Sequence, residues 1–139
     1  SENPIYIDDR LIICSENKNF ANTVHQWLIA EASKEINSKA IEYSKKITCR
    51  NITNIAIKDT KTRWGSCSTK GRLSFSWRLI LAPPNVLNYV VAHEIAHLRQ
   101  MNHSKAFWLI VSDLVGDCKE ERIWLKNNSI ILRNFGAPQ

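Results

Sequence analysis

Pro83-Pro84-Asn85-Val86-Leu87-Asn88-Tyr89-Val90-Val91-Ala92-His93-Glu94-Ile95-Ala96-His97-Leu98 is the stretch from which the rest of the chain can be read. A proline in the first turn of a helix gives up no needed N–H bond, so the pair suits a helix start, and the pattern predicts a helix from about Asn85 to Gln100. At roughly 100° per residue, Leu87, Val91, Ile95 and Leu98 share one side, while His93 and His97 point the opposite way, about 40° apart. Val86 and Val90 lie on the histidine face, so the helix is apolar nearly all round and should be buried between layers. Two imidazoles on a buried helix need a chemical reason. His93-Glu94-Ile95-Ala96-His97 is the H-E-x-x-H pattern: histidines one turn apart bring ring nitrogens to one metal ion, with Glu94 on the adjacent helical row. His103 follows just past the expected helix end at Met101-Asn102, where the chain can turn back and add a third imidazole. Three protein ligands leave a fourth position for water, the catalytic arrangement for zinc.

Two other readings are weighed against this one. His93 and His97 would be structural histidines if buried and hydrogen-bonded to neighbours, but an H-E-x-x-H arises by chance in only about a few sequences of this length per thousand. Glu120, Glu121 or Asp117 would be able to replace His103 as third ligand. The spacing of the three histidines equals that of metzincins, yet Gln100 stands at their glycine position. Met101, the only methionine, precedes the third histidine, so there is no downstream Met-turn and metzincin membership is rejected.

Upstream, Ile52 to Ile57, Arg63 to Cys67 and Arg72 to Trp77 are short β-prone segments separated by Asp59-Thr60 and Ser68-Thr69-Lys70-Gly71, and they predict an antiparallel meander. Before them, Phe20, Val24, Trp27, Leu28, Ile36, Ala40 and Tyr43 recur at near-helical spacing without Gly or Pro, predicting a long helix from about Asn19 to Lys46, with Asn37 a candidate break. Ile5 to Ile7 and Leu11 to Cys14 read as a hairpin around Asp8-Asp9-Arg10. Downstream, Ser104 suits the cap of a helix from Lys105 to about Val115 that Gly116 ends. Asp117-Cys118-Lys119-Glu120 resembles a capping box opening a last helix through Leu125. The expected class is α+β: a small antiparallel sheet on a long helix and the H-E-x-x-H helix, closed by two C-terminal helices. With 139 residues and 16.0 kDa, residues 1–139 are expected to form a single domain.

Composition excludes several classes. No apolar stretch approaches the roughly 20 residues that cross a bilayer, and no basic segment followed by an apolar one marks a secretory signal. The initial Ser in place of Met points to a trimmed chain. A net charge of +6 and a pI near 9.3 favour polyanionic partners, but the basic residues are scattered, which reads more readily as a solvated surface than as a dedicated nucleic-acid site. Cys14, Cys49, Cys67 and Cys118 lie far apart with no C-x-x-C, which reads as reduced thiols in a cytoplasmic protein.

Four blocks together carry a family resemblance: Thr62 to Ser68 (Thr-Arg-Trp-Gly-Ser-Cys-Ser), Trp77 to Pro84 (Trp-Arg-Leu-Ile-Leu-Ala-Pro-Pro), His93 to Leu98, and Asn102 to Trp108 (Asn-His-Ser-Lys-Ala-Phe-Trp). In order and spacing, over about residues 20 to 127, the chain resembles the YgjP-like family of metal-dependent hydrolases. The resemblance implies a minimal zincin-like fold related to SprT-type metallopeptidases, with His93, His97 and His103 as zinc ligands and Glu94 as catalytic base. Members usually carry a longer β-rich N-terminal part, of which residues 1–18 would be a remnant.

In zincins an edge strand beside the active-site helix pairs with extended substrate. Arg63 to Ser68 would fill that place, Trp64 and Gly65 shaping close approach and Arg63 holding a carboxylate or phosphate. The same residues read equally well as a core Trp64, a bulge at Gly65 and a buried Cys67. Trp27, Trp77, Trp108 and Trp124 are expected in the core. The favoured function is a zinc-dependent hydrolase cleaving peptide or unfolded protein. One rival is hydrolysis of a nucleotide phosphoanhydride with Arg63, Arg72 and Arg78 on the phosphates, although no Gly-rich phosphate loop is present. The other is a non-enzymatic basic module that binds nucleic acid and keeps zinc for stability, for which the base Glu94 would have no use.

Overall fold

The structure is a computed structural model that describes residues 2–7, 10–15 and 18–136, with side chains from residue 21. Its first elements, β1 (Glu2–Ile7) and β2 (Arg10–Ser15), pair antiparallel with Ile5 opposite Ile12, as the expected hairpin; the turn at Asp8-Asp9 falls outside the described residues. The long helix α1 (Lys18–Lys46) runs unbroken through Asn37. That side-chain amide donates 2.7 Å back to the Ser33 carbonyl one turn earlier, satisfying itself inside the helix. Leu28, Ala32, Ile36, Ala40 and Tyr43 form the buried stripe at successive turns. Trp27, next to that stripe, is 60% exposed, which corrects its assignment to the core.

Strands β3 (Asn54–Lys58), β4 (Gly65–Cys67) and β5 (Arg72–Ser76) form a sheet in the order β3-β5-β4. β4 and β5 are an antiparallel hairpin, but β3 runs parallel to β5, with Ile55 opposite Leu73 and Ile57 opposite Phe75. The sheet is therefore mixed and the expected antiparallel meander is corrected. The segment between β3 and β4 carries the chain past the position of β5, so β3 takes the outer place. In the hairpin turn the Ser68 hydroxyl accepts from the backbone N–H of Lys70 and of Arg72. Gly71 sits there at φ 78°, where a Cβ would fall 2.2 Å from the Asn51 carbonyl oxygen, so only glycine fits.

After β5 the Ser76 hydroxyl accepts from Arg78 N–H and opens a fully buried 3-10 turn, Trp77–Leu81, so the strand ends one residue before the expected Trp77. Pro84–His97 is α2. It stops three residues short of the expected Gln100, where the backbone N–H groups of Leu98 and Arg99 bond back in tighter i−3 turns to the carbonyls of Ile95 and Ala96. Lys105–Val115 is α3, with the Ser104 hydroxyl accepting from Phe107 N–H and Gly116 at φ 79°, both as read from sequence. Lys119–Asn134 is α4, two turns longer than expected; its start is held by Asp117 Oδ1 accepting from Lys119 N–H, with no side-chain bond from Cys118.

α2 packs on α1, α3, α4 and β4 at once. Val86, Val91, Ala92, Ile95 and Ala96 are completely enclosed, which is why this helix had to be apolar on nearly every face. Among the described residues, no helix is long and apolar enough to cross a membrane.

Candidate metal centre and cleft

His93 and His97 lie one turn apart near the C-terminal end of α2, and the turn through residues 98–102 returns His103 to them. The three histidines place ligating nitrogens within 4.8 Å of one another. His97 Nε2 and His103 Nε2 are 3.1 Å apart, close to the edge of about 3.3 Å that a tetrahedral zinc with Zn–N bonds near 2.05 Å would span. Each inner imidazole has its other nitrogen engaged. His97 Nδ1 lies 2.9 Å from the Gln100 carbonyl, so Nδ1 donates and Nε2 is left with its lone pair. His93 Nδ1 lies 2.8 Å from Glu94 Oε2. Burial lowers the pKa of His97, opposed by its bond to Gln100, which favours the neutral imidazole that a metal requires. The donor set therefore fits a metal ion.

Phe107, fully buried, packs its ring against all three imidazoles at centroid distances of 4.4 to 5.0 Å. Trp108 lies 5.8 Å from His93 and stacks near His103 at 6.1 Å. These aromatics exclude water behind the histidines and restrict ring rotation. Sequence reading missed them as site residues, although both stand within the first turn after the Ser104 cap.

Glu94 is only 5% exposed and opens onto a cleft of about 560 Å³ together with the three histidines. The opposite wall is β4 and the residues before it, from Thr62 to Cys67; Tyr89, Val90, Met101 and Leu125 complete the lining. β4 approaches so closely because Gly65 has no side chain: a Cβ there would meet Glu94 Cγ at 2.9 Å, Phe75 Cδ1 at 3.1 Å and Val90 Cγ1 at 3.2 Å. The bulge reading of Gly65 is thereby replaced by a packing role. β4 is an edge strand, and no strand lies on its other side among the described residues. Burial pushes the Tyr89 hydroxyl up to about 12, so it remains a proton donor, and burial reinforced by Glu94 pushes the Cys67 thiol up to about 11.

Of the four residues expected to touch substrate, Arg63, Trp64 and Gly65 line the cleft and Arg78 does not. Arg78 is buried elsewhere, bonded to Asp59, to the Leu132 carbonyl at 2.9 Å and to the Phe135 carbonyl, with its guanidinium 4.6 Å over the Trp77 ring. It anchors the end of α4. Arg133 works alongside it, donating to the Thr60 carbonyl and lying 4.0 Å over the Trp64 ring.

Arg50 is a site residue that the sequence did not reveal. Its guanidinium donates to the carbonyls of His97 (2.8 Å), Leu98 (3.0 Å) and Thr69 (2.8 Å), and to Met101 Sδ (3.1 Å). It satisfies the orphan carbonyls at the end of α2, complements the negative end of the helix dipole, and ties that end to the β4–β5 turn. An isolated arginine in a loop gives no sequence signal of such a task.

The metallopeptidase domain of the YgjP-like family matches residues 10–128. The chain belongs to the YgjP-like family. Among solved structures, the crystal structure of the metallopeptidase zymogen of Pyrococcus abyssi abylysin aligns with a TM-score of 0.53 and 19% sequence identity. The alignment covers 74% of this chain and 97% of that one. At that identity the likeness bears on the fold, and it agrees with the α+β architecture. No curated protein matches the chain.

Proposed function

We propose that this YgjP-like chain is a zinc-dependent peptidase acting on extended or unfolded polypeptide. The observation that carries the reading is the convergence of three histidine nitrogens within 4.8 Å beside a buried Glu94, on the floor of a cleft whose far wall is a strand edge. His93, His97 and His103 would hold the ion. Zinc, when bound there, supplies the Lewis acidity that brings a water's pKa near neutrality and polarises a carbonyl.

The chain's own residues do the rest. Glu94 takes the proton of the attacking water on a carboxylate oxygen and delivers it to the amide nitrogen of the departing strand. Gln100 fixes the tautomer and orientation of His97 through its carbonyl. The free edge of β4 offers backbone donors and acceptors along which an extended peptide adds as a strand, bringing its scissile bond over the histidines. Trp64, Val90 and Leu125 give the cleft apolar wall for one side chain and displace water from it.

Phosphoanhydride hydrolysis is less well supported, because it needs cations converging on the phosphates. Of Arg63, Arg72 and Arg78, only Arg63 lines the cleft.

The zinc-loaded protein should release new amino termini from reduced, unfolded casein, and the Glu94→Gln variant should not. Glu94-dependent phosphate release from nucleoside triphosphates without proteolysis would overturn the reading.

A further inference from the structure

Charge is distributed unevenly between the part of the chain that builds the cleft and the part that supports it. Every cleft-lining residue except Leu125 lies between Thr62 and His103. The surrounding segment, residues 45–105, holds eleven Lys and Arg against two acidic residues, Asp59 and Glu94. The other 78 residues hold eight basic and eleven acidic ones. The segment that forms the cleft is thus nine charges positive, and the remainder is three negative. Asp59 is committed to Arg78, and Glu94 sits on the cleft floor.

The cations also have a definite arrangement. Lys61 and Arg63 stand immediately before β4, and Lys70 and Arg72 immediately after it. All four are exposed, and among the described residues none is ion-paired. Arg99 and Lys105, also exposed and unpaired in the same sense, flank the turn that delivers His103. Positive charge therefore stands at both ends of the edge strand and beside the metal ligands, Arg63 lining the cleft itself and the other five lying outside its lining. The acidic side chain next to them in sequence, Asp59, is exposed but ion-paired with Arg78. A small phosphate ester would need these groups gathered at one point, whereas an extended chain spanning about 3.3 Å per residue reaches both ends of β4 at once. Base stacking is poorly served: the one tryptophan in the cleft, Trp64, has a ring face covered by Arg133 at 4.0 Å.

We infer that the cleft selects acidic polypeptide, with Asp or Glu on both sides of the scissile bond and a residue without charge at the bond itself. The inference rests on the peptidase reading and adds the substrate class to it. Clefts lined by one sign of charge raise local substrate concentration and association rate, and they reject chains of the same sign.

The test uses three internally quenched peptides that share one scissile pair and length, flanked by Glu and Asp, by Gln and Asn, or by Lys. With the zinc-loaded protein at 50 mM salt, the acidic peptide should be cleaved with a kcat/KM at least about 10-fold above that of the basic one, the neutral peptide lying between. Raising salt to 500 mM should reduce that ratio several-fold, since the rim charges are exposed and screened. Lys61→Glu combined with Lys70→Glu should narrow or invert it. Fluorescence anisotropy with labelled versions of the same peptides and zinc-loaded Glu94→Gln protein reads the preference without turnover. Equal binding and equal cleavage of all three would overturn the selectivity while leaving the peptidase standing. No cleavage and no binding of any of them would overturn both. A single-stranded oligonucleotide that displaces the acidic peptide at concentrations well below those of an unlabelled peptide of equal charge would reassign the rim to nucleic acid and overturn the proposal.

Discussion

Replacing Gly65 by Ala adds one methyl group at the narrowest point between the β4 wall and the proposed base. In a strand the change by itself is favourable, worth about 0.4 to 1 kcal/mol through the reduced freedom of the unfolded chain. Against this, the new Cβ would lie 2.9 Å from Glu94 Cγ and 3.1 Å from Phe75 Cδ1, where ordinary contact begins at 3.4 Å. Phe75 has no exposed surface and cannot retreat, so the relief falls on Glu94. Glu94 Cγ has to move by about 0.5 Å, and rotation about its χ angles carries the carboxylate about 1 Å. Overpacking of this kind costs about 1 to 3 kcal/mol, so the variant should be less stable by about 1 kcal/mol despite the helpful backbone term. A 1 Å displacement of a reacting group costs on the order of 100-fold in rate, and the loss should appear in kcat. Zinc content should stay at about one equivalent, because the added methyl meets no ligand histidine. Steady-state kinetics on one cleaved peptide, with thermal unfolding and elemental analysis of the same preparation, measure all three quantities. A Gly65→Ala protein that keeps its zinc and the parental kcat would refute the idea that the bare backbone at 65 holds the Glu94 carboxylate in place.

His103→Ala should weaken zinc binding far more than His25→Ala, whose ring packs on Trp77, and chelator competition with equal effects would place the third ligand elsewhere. Glu94→Gln should retain the ion while losing about 100- to 10,000-fold in turnover, and a variant with full activity would remove Glu94 from the role of base. Arg50→Lys keeps the charge and loses the fork that reaches three carbonyls. It should lower metal affinity by about 10- to 100-fold, as loss of an outer-sphere support does, and unchanged cobalt binding and absorption spectra would show that the clamp has no hold on the ligands. Cys67, with its thiol pushed up to about 11 from 9.0, should hold about 100-fold less thiolate at pH 8 than an unshifted cysteine. Alkylation by iodoacetamide followed by peptide mapping should find it slow, and rapid labelling would contradict its burial against Glu94.

The cluster of His93, His97 and His103 was legible in the sequence because all three lie within eleven residues and helical period alone brings the first two together. Caps at Ser104 and Gly116 were equally local and equally readable. The parallel pairing of β3 with β5 was hidden, since Ile55 and Ile57 alternate in the same way whichever neighbour they face, and nothing local records that the connection passes beyond β5. The strand expected to reach Trp77 ends at Ser76, whose hydroxyl accepts from Arg78 N–H and opens the 3-10 turn. Arg78 misled for a related reason: an arginine's stem and head fit a buried anchor as well as a substrate site, and the carbonyls it serves lie more than fifty residues away. The Arg50 clamp has the same character, its partners at His97 and Leu98 being fixed only by the tertiary fold.

The latch between α4 and the cleft wall also has a bearing on the order in which the protein is assembled during synthesis. Thr60 is held by Arg133, 73 positions later, and Trp64 lies under the same guanidinium. At about 5 to 20 residues per second, a ribosome needs roughly 4 to 15 seconds to travel from one to the other. In the later part of that interval, once residue 103 has been made, the segment of α2 and all three histidines exist, while the wall against which a polypeptide would lie is without its clasp. A nascent chain is itself an extended polypeptide, so the fold leaves the groove that would grip one to be fastened last.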